Sequence, residues 1–371
     1  RGGRGRSATG VKDEDYIEHL LVAHSHTTLL LFSSKGKVYW LRTFEIPEAS
    51  RAARGRPLVN LLPLDDGELI TAMLPLDLEA LRKQSPEGDE PEDVEGELVE
   101  QDDVEEVVED EDGEEAEAAE EQDEPTGAYI FMATANGTVK KTPLVQFSKP
   151  RSAGLIALRL EEGDTLIAAA VTDGAREVMM FSDGGKVIRF KESKVRTMGR
   201  TARGVRGMRL PDGQLIISML IPEAGAQILT ASARGYGKRT AMAEFPRRGR
   251  GGQGVIAMVS NERNGALVGA VQVLDGEEIM LISDQGTLVR TRVDEVSSLG
   301  RNTQGVTLIK LASDETLVGL ERVQEPSEVE GEELDAEALD GDDLAEGEAG
   351  DGVLAEQAGA ADADEVVASD E

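Results

Sequence analysis

A repeat of about 50 residues is the feature that most restricts how this chain can fold. Glycines that close an arginine-rich loop, called marker glycines below, lie at Gly5, Gly55, Gly154, Gly204, Gly254 and Gly305. Their spacings are 50, 99, 50, 50 and 51 residues. The interval of 99 residues is one period plus an insertion of about 49 residues. A fixed period of this length is typical of propellers and related repeat folds.

A second set of glycines has the same period and predicts β-hairpins. These turn glycines are Gly36, Gly137, Gly185, Gly235 and Gly286. In "FSSKGKVYW" and "FSDGGKVIRF" the pattern is strand, tight turn, strand, and glycine supplies the positive φ that such a turn needs. Further apolar runs follow each marker glycine. We therefore predict an all-β, propeller-like fold of about six four-stranded blades. The sequence begins at an arginine-rich loop, so we expect the first blade to be truncated.

The charge is distributed unevenly and predicts two disordered segments. The 38 residues 87–124 hold 23 acidic residues and no basic one, and the 47 residues 325–371 hold 19 and none. The other 286 residues carry a net charge of +8, although the whole chain carries −34. Segments of this kind cannot bury enough apolar surface to offset their ordering entropy. We predict one domain over residues 1–324, with a disordered acidic insertion at 85–125, and a disordered acidic tail at 325–371. The tail either keeps the protein soluble or competes with nucleic acid for the basic surface.

The arginine-rich loops indicate a binding surface for duplex DNA. Rotation from blade to blade brings the same loop to the same rim, and the planar guanidinium group suits phosphate oxygens. We expect the glycines to let a partner approach and to leave amide donors free for phosphate. Aromatic residues are scarce near these loops, which favours contacts to a duplex backbone over stacking on single strands. The predicted DNA-binding residues are Arg1, Gly2, Gly3, Arg4, Gly5, Arg6, Arg51, Arg54, Arg56, Lys140, Lys141, Lys149, Arg151, Arg200, Arg203, Arg206, Lys238, Arg239, Arg247, Arg248, Arg250 and Arg301.

Other site classes find little support in the sequence. The chain has no cysteine and only three histidines, which argues against disulfides and zinc sites. "GYGKRT" at 235–240 lacks the glycine and the Ser or Thr of a phosphate loop, so we expect no ATP site there. We predict no catalytic residue and no metal site. No apolar run reaches the length of a membrane span, so no membrane partner is predicted and a cytoplasmic setting is the default.

Several stretches identify a family resemblance. "RGGRG" at 1–5 matches the last five positions of Q-R-R-G-G-[KR]-G, the signature of the C-terminal domain of the A subunit of bacterial DNA gyrase. "FMATANGTVKKT" and "GYGKRTAMAEFP" are also similar to that family. The resemblance implies a β-pinwheel, in which neighbouring blades exchange a strand and the rim wraps duplex DNA so that the gyrase core can introduce negative supercoils.

The same resemblance implies partners and a location. The partners would be the rest of the A subunit of gyrase, together with its B subunit, in an A2B2 complex at the bacterial nucleoid. That complex is an ATP-hydrolysing type IIA topoisomerase, and ATP and Mg²⁺ would belong to it, with no cofactor in this chain. Two alternatives stay open. One is the C-terminal domain of the A subunit of topoisomerase IV, against which "RGGRG" argues, and the other is a propeller-like platform for protein interactions.

Overall fold

In the computed structural model, residues 21, 23–49, 55–77, 127–312 and 314–323 are described. This part of the chain is built from β-strands and short 3-10 helices. The 3-10 helices are Thr43–Glu45, Leu58–Asn60, Leu144–Phe147, Glu192–Lys194, Met242–Glu244 and Val293–Glu295. Among the described residues, no helix is long and apolar enough to cross a membrane.

Each repeat supplies three strands to one blade, namely a hairpin and a third strand that pairs with the first. The hairpins are β1 (Thr28–Ser33) with β2 (Lys37–Arg42), β4 (Tyr129–Thr134) with β5 (Thr138–Pro143), β8 (Glu177–Ser182) with β9 (Lys186–Lys191), β12 (Gln227–Ser232) with β13 (Tyr236–Ala241), and β16 (Glu278–Ser283) with β17 (Leu288–Arg292). The third strands are β3 (Ile70–Leu76), β7 (Leu166–Thr172), β11 (Ile216–Leu220), β15 (Leu267–Val273) and β19 (Leu317–Val323). All pairings in the five sheets are antiparallel. The turn glycines have φ between 73° and 88°, which confirms the predicted hairpins.

The fourth strand of a blade comes from the following repeat. These short strands are β6 (Leu155–Ile156), β10 (Val205–Arg206), β14 (Val255–Ile256) and β18 (Val306–Thr307). They add to the open edges of β2, β5, β9 and β13, so the strand orders are β3-β1-β2-β6, β10-β5-β4-β7, β11-β8-β9-β14 and β15-β12-β13-β18. The fifth sheet, β17-β16-β19, has three strands in the described part of the chain.

The hydrophobic core lies between successive blades. Phe32 of the first blade packs against Phe147 of the second, with ring centroids 6.0 Å apart. Phe181 of the third blade packs in the same way against Phe245 of the fourth, at 6.4 Å. The first sheet is covered on both faces, by the second blade on one side and by a cluster that includes Leu62 on the other, which explains why strand β1 is buried at every residue instead of alternating. The third strands of neighbouring blades also contact one another, so they form the inner side of the array and the two-residue strands form the outer side.

The predicted fold class is confirmed, with a difference in the number of blades. The described chain contains five blades, four of them with four strands, where about six were expected. The residues predicted to form a truncated first blade, the insertion at 85–125 and the tail at 325–371 lie outside the described residues, and the domain limits stay a prediction. The apolar run after the marker glycine Gly55 was expected to form a strand like the runs after the other marker glycines, but Leu58–Asn60 forms a 3-10 helix that follows Pro57. Proline has no N–H to donate to a neighbouring strand, so an exchanged strand is disfavoured there.

Candidate nucleic-acid interface

Strand exchange fixes where the arginine-rich loops lie. After strand β9 and its 3-10 helix, the chain turns back along the outer edge of the preceding blade, with Thr197 bridged to Lys141 of β5. It then passes Arg200 and Gly204 and enters β10, which completes that preceding blade. The other loops that end at Gly154, Gly254 and Gly305 lead in the same way into β6, β14 and β18. Each loop therefore crosses a blade boundary on the outer side of the array. We call the loops 151–154, 200–204, 250–254 and 301–305 the arginine loops.

The marker glycines that end the four arginine loops are required by the protein's own packing. Gly254 has φ of +71°, and a Cβ added there would lie 2.3 Å from the backbone O of Val187 in β9. Gly204 has φ of +102°, and its added Cβ would lie 2.6 Å from the backbone O of Val139 in β5. The expectation that these glycines make room for a partner is therefore corrected, because the space they leave is filled by the preceding blade.

The structure brings many of the predicted basic residues to the outer surface. The exposed ones are Arg56, Lys149, Arg151, Arg203, Arg206, Arg247 and Arg248, and the half-buried ones are Arg200, Arg250 and Arg301. Eight further predicted residues lie outside the described chain, namely Arg1, Gly2, Gly3, Arg4, Gly5, Arg6, Arg51 and Arg54. The loops that are described thus present positive charge at the same position of successive blades.

Two of the half-buried arginines also tie neighbouring loops together. The Nε of Arg250 donates to the backbone O of Lys194 at 2.8 Å, and its Nη1 donates to the backbone O of Arg206 at 3.3 Å. Arg301 repeats the second contact, with Nη1 donating to the backbone O of Ile256 at 3.3 Å. Ile256 and Arg206 occupy the same position in their short strands. A guanidinium group has five N–H donors, so these contacts leave donors for a further acceptor.

An ion-pair cluster sits beside the arginine loop 250–254. Glu177 binds both Arg189, whose Nε donates at 2.8 Å, and Arg247, which comes from the next repeat. Burial raises the pKa of this carboxyl group, but the two guanidinium groups outweigh burial and hold the pKa below its usual value. Glu177 therefore stays ionised at neutral pH and links the third blade to the chain that leads into the arginine loop 250–254.

Four predicted DNA contacts are corrected because the protein itself takes up their side chains. Lys140 and Lys238 are fully buried, and both donate to backbone carbonyl groups of the arginine loops. Lys141 is also buried and lies over the ring of Tyr129, with Nζ 5.1 Å from the centroid. Arg239 is nearly buried and donates to the backbone O of Val296 at 2.8 Å and to Asp275 at 2.9 Å. None of the four presents its charge freely to a ligand.

Other basic residues join the exposed surface and were missed from the sequence. Arg159, Arg209 and Lys310 are exposed, and each lies five residues after a marker glycine. Lys194 and Arg196 are exposed on the chain that leads into the loop of Arg200. The fixed spacing of five residues from a marker glycine is the sequence signal by which Arg159, Arg209 and Lys310 could have been predicted.

Among the described residues, no group of three or more His, Asp or Glu side chains could hold a metal ion.

Two features define the class of this domain: neighbouring blades exchange a strand, and basic loops lie at the same position of successive blades. It is a propeller-like domain with a basic outer rim. A family model described as "DNA gyrase C-terminal domain, beta-propeller" matches residues 27–77, 128–173, 176–223, 226–273 and 277–324, one segment for each blade. The chain belongs to this family of DNA gyrase C-terminal domains. The DNA gyrase A subunit of Pseudomonas aeruginosa is 76% identical over 339 residues, covering 90% of this chain and 36% of that protein.

Further comparisons agree with this assignment. The DNA gyrase A subunit of Salmonella typhimurium is 50% identical over 348 residues, which cover 94% of this chain and 34% of that protein. The chain thus spans about a third of the length of these curated relatives. Two solved structures share the fold at 22% identity. They are a DNA gyrase A C-terminal domain, with a TM-score of 0.59 over 85% of this chain and 91% of that one, and a topoisomerase IV C-terminal domain, with a TM-score of 0.64 over 81% and 80%.

Proposed function

We propose that this domain binds duplex DNA along its outer rim, bends it and wraps it, so that a gyrase core can introduce negative supercoils with ATP. The observation that carries the proposal is the register of the basic loops. Exposed arginine and lysine side chains occur at the same position of successive blades, and strand exchange places each loop on the outer side of a blade boundary. A duplex that followed this side would meet one basic cluster per blade.

Bending requires several blades to act together. Bending a duplex of 20–30 base pairs by 40–90° costs on the order of 1–6 kcal/mol. A single exposed charge pair contributes only about 0–1 kcal/mol. Contacts from two or more successive arginine loops are therefore needed to keep a duplex curved. Each phosphate that is neutralised also releases counterions, so the binding depends steeply on salt.

The wider assembly belongs to the same proposal. The domain would act as part of the A subunit of gyrase, together with the B subunit in an A2B2 complex in the bacterial cytoplasm, associated with the nucleoid. Cleavage, strand passage and ATP hydrolysis with Mg²⁺ would take place in the rest of that complex. This chain's part is to hold DNA, which needs charged and hydrogen-bonding groups and no catalytic residue.

The acidic tail extends the proposal to regulation. Residues 325–371 hold 19 acidic residues and no basic one, and the 286 residues outside the two acidic segments carry +8. A tethered polyanion competes with DNA phosphate for the same basic loops, and the competition is strongest at low salt, where screening is weakest. The tail would thus oppose wrapping without any contact to the DNA itself.

The proposal is tested with a variant of two exposed arginines. We expect Arg203→Ala combined with Arg248→Ala to lower the slope of log affinity against log salt by about 1.8, since each phosphate contact contributes about 0.9. The same variant reduces the linking-number shift that the protein produces in relaxed closed circles. Mobility of duplexes of graded length measures affinity, and topoisomer distributions measure wrapping.

A matched arginine on the inner side is the control. Arg176 is exposed and pairs with Asp173, which follows the inner strand β7. Arg176→Ala removes one charge of the same kind, where the test variant removes two, and is expected to leave the salt slope and the linking-number shift unchanged. Equal losses per removed charge from the inner and outer variants would show that net charge alone acts and that the outer rim is not the DNA path. A protein-interaction platform would show no linking-number shift at all.

A further inference from the structure

Two buried lysines hold the backbone of two arginine loops from inside. Lys238 Nζ donates to the backbone O of Gly300 at 2.8 Å, to that of Arg301 at 2.6 Å and to Thr303 Oγ1 at 3.1 Å. Lys140 Nζ donates to the backbone O of Ala157 at 2.8 Å and to that of Arg200. Both side chains are fully buried. A buried ammonium group is costly unless its donors are satisfied, and here carbonyl and hydroxyl oxygens satisfy them.

The direction of these carbonyl groups decides what the loops show to solvent. In a trans peptide the C=O of one residue and the N–H of the next point in opposite directions. An inward carbonyl at Arg301 therefore turns the N–H of Asn302 outward, and an inward carbonyl at Arg200 does the same for Thr201. Both residues are exposed, and neither N–H donates to an acceptor within the described part of the protein. Outward amides beside a guanidinium group form a concave donor set that suits a phosphate oxygen.

The other blades provide a natural comparison. Both lysines lie three residues after a turn glycine, and the residues at that position in the first, third and fifth blades are Tyr39, Ile188 and Val289. Ile188 is buried like the lysines, but it has no donor. The arginine loop 250–254 next to it is held by backbone contacts instead, such as the N–H of Gly251 donating to the O of Gly207 at 2.7 Å. The lysine contact is therefore a property of two loops and is not needed to build a blade.

We propose that Lys140 and Lys238 are positioning residues whose ammonium groups fix the loops of Arg200 and Arg301 in the form that receives DNA phosphate. The inference rests on the proposed DNA binding and adds that the protonation of these two lysines regulates it. The ammonium group with its three donors is the form that holds the loop. A neutral amine keeps two donors and loses its charge, so its hold on the carbonyl groups is weaker.

Burial and the charges around the two lysines make this regulation of DNA binding sensitive to pH. Burial lowers the pKa of Lys140 to about 7, and the nearby Arg200 acts in the same direction. Burial lowers the pKa of Lys238 to about 8, where Glu244 opposes the shift and Arg301 adds to it. Deprotonation therefore falls between about pH 6.5 and 9. Arginine and phosphodiester groups do not titrate in this range, so a loss of DNA affinity that the double lysine variant lacks reports on the lysines.

The test compares Lys140→Met and Lys238→Met with Ile188→Met, which changes the equivalent buried position without removing a donor. Tryptic cleavage after Arg200 and after Arg301, resolved by mass spectrometry, measures how often each loop opens. We expect about a tenfold increase in the matching lysine variant, because loss of a hydrogen bond to a charged group shifts a local opening equilibrium by that order. Cleavage after Arg250 stays unchanged in every variant, and Ile188→Met changes none of the three sites.

DNA affinity supplies the second measurement. The wild-type protein is expected to bind a short duplex about threefold to tenfold more weakly at pH 9 than at pH 6.5, whereas the double lysine variant shows no such change. Folded lysine variants that are cleaved at the wild-type rate, or that keep the wild-type pH dependence, would overturn the inference. Absence of wild-type DNA binding would overturn the proposed function, while the cleavage measurement would still decide whether the lysines hold the loops.

A lysine variant that fails to fold does not end the test. In the wild-type protein, the ratio of cleavage after Arg301 to cleavage after Arg250 is expected to rise between pH 6.5 and 9. The ratio removes the pH dependence of trypsin itself, because both bonds are cut by the same enzyme in the same sample. A constant ratio would contradict the inference.

Discussion

The marker glycine of the arginine loop 250–254 offers a sharp test of how the loops are held. Gly254 has φ of +71°, and a Cβ at this residue would lie 2.3 Å from the O and 2.7 Å from the C of Val187. Both are backbone atoms of a paired strand, so no side-chain rotation relieves the contact. Gly213 has a similar φ of +78°, but no atom lies within 4 Å of its added Cβ. The two glycines therefore share the backbone conformation and differ in the space around them.

The two alanine variants separate the cost of placing alanine at a positive φ from the cost of the steric clash with strand β9. An alanine in the left-handed region costs about 1–2 kcal/mol, so we expect Gly213→Ala to lower the free energy of unfolding by that amount. Gly254→Ala carries the same cost and must also move the loop off strand β9, which adds about 1–3 kcal/mol, typical of overpacked sites. The difference between the variants is thus expected to be about 1–3 kcal/mol.

Urea unfolding followed by circular dichroism measures both variants under the same conditions. DNA affinity provides a second readout, because Gly254→Ala shifts Arg250 and Gly213→Ala shifts no arginine loop. Equal losses of stability in the two variants would refute the reasoning that the loop is pressed against the preceding blade. A large loss at Gly254 with unchanged DNA affinity would instead separate loop packing from DNA contact.

Three further outcomes are expected. Deleting residues 325–371 raises DNA affinity at low salt and much less at high salt, as measured by mobility shift; an unchanged affinity at low salt would leave the tail a solubilising role. The pKa of Glu177 is lowered in the folded protein, so the stability from its ion pairs is present above about pH 4.5 and is lost as the pH falls through the folded pKa. Glu177→Gln therefore loses less stability than wild type as the pH is lowered from 7 to well below 4.5 in urea titrations. Trp40 donates from Nε1 to the backbone O of Phe147 at 3.0 Å, and Trp40→Phe is expected to cost about 1–3 kcal/mol of unfolding free energy by leaving that carbonyl without its donor.

The blades were predictable from the sequence because their turns depend on glycine. The turn glycines adopt a positive φ that other residues rarely take, so their period of about 50 residues marked each hairpin. The family resemblance implied strand exchange, but the residues that exchange were not predictable from pattern. A strand of two residues, such as Val205–Arg206, has no periodicity, and the sheet that it joins is decided by tertiary packing.

The basic surface was only partly predictable, because charge alone does not indicate exposure. Arg203 and Arg248 are exposed as expected, whereas Lys140 and Lys238 are buried. Both lysines align with Ile188 three residues after a turn glycine, and this register was the physical signal of burial. Prediction from the hydrophobic pattern assigns every lysine to the surface. It therefore misses a buried lysine whose ammonium group donates to backbone carbonyl groups inside the fold.

The two-residue strands also determine how long each blade stays incomplete while the chain is synthesised on the ribosome. A blade cannot be completed until its last strand has been made, and Ile256 follows Leu220 by 36 residues, whereas Ile156 follows Leu76 by 80 residues because the acidic insertion comes between them. At about 5–20 residues per second, the third blade waits about 2–7 s and the first blade about 4–16 s. During that time the edge of strand β2 has no partner, and an unpaired edge can pair with the edge of another chain. Among the four blades whose last strand lies in the described part of the chain, the first is therefore the one that is longest exposed to pairing between nascent chains.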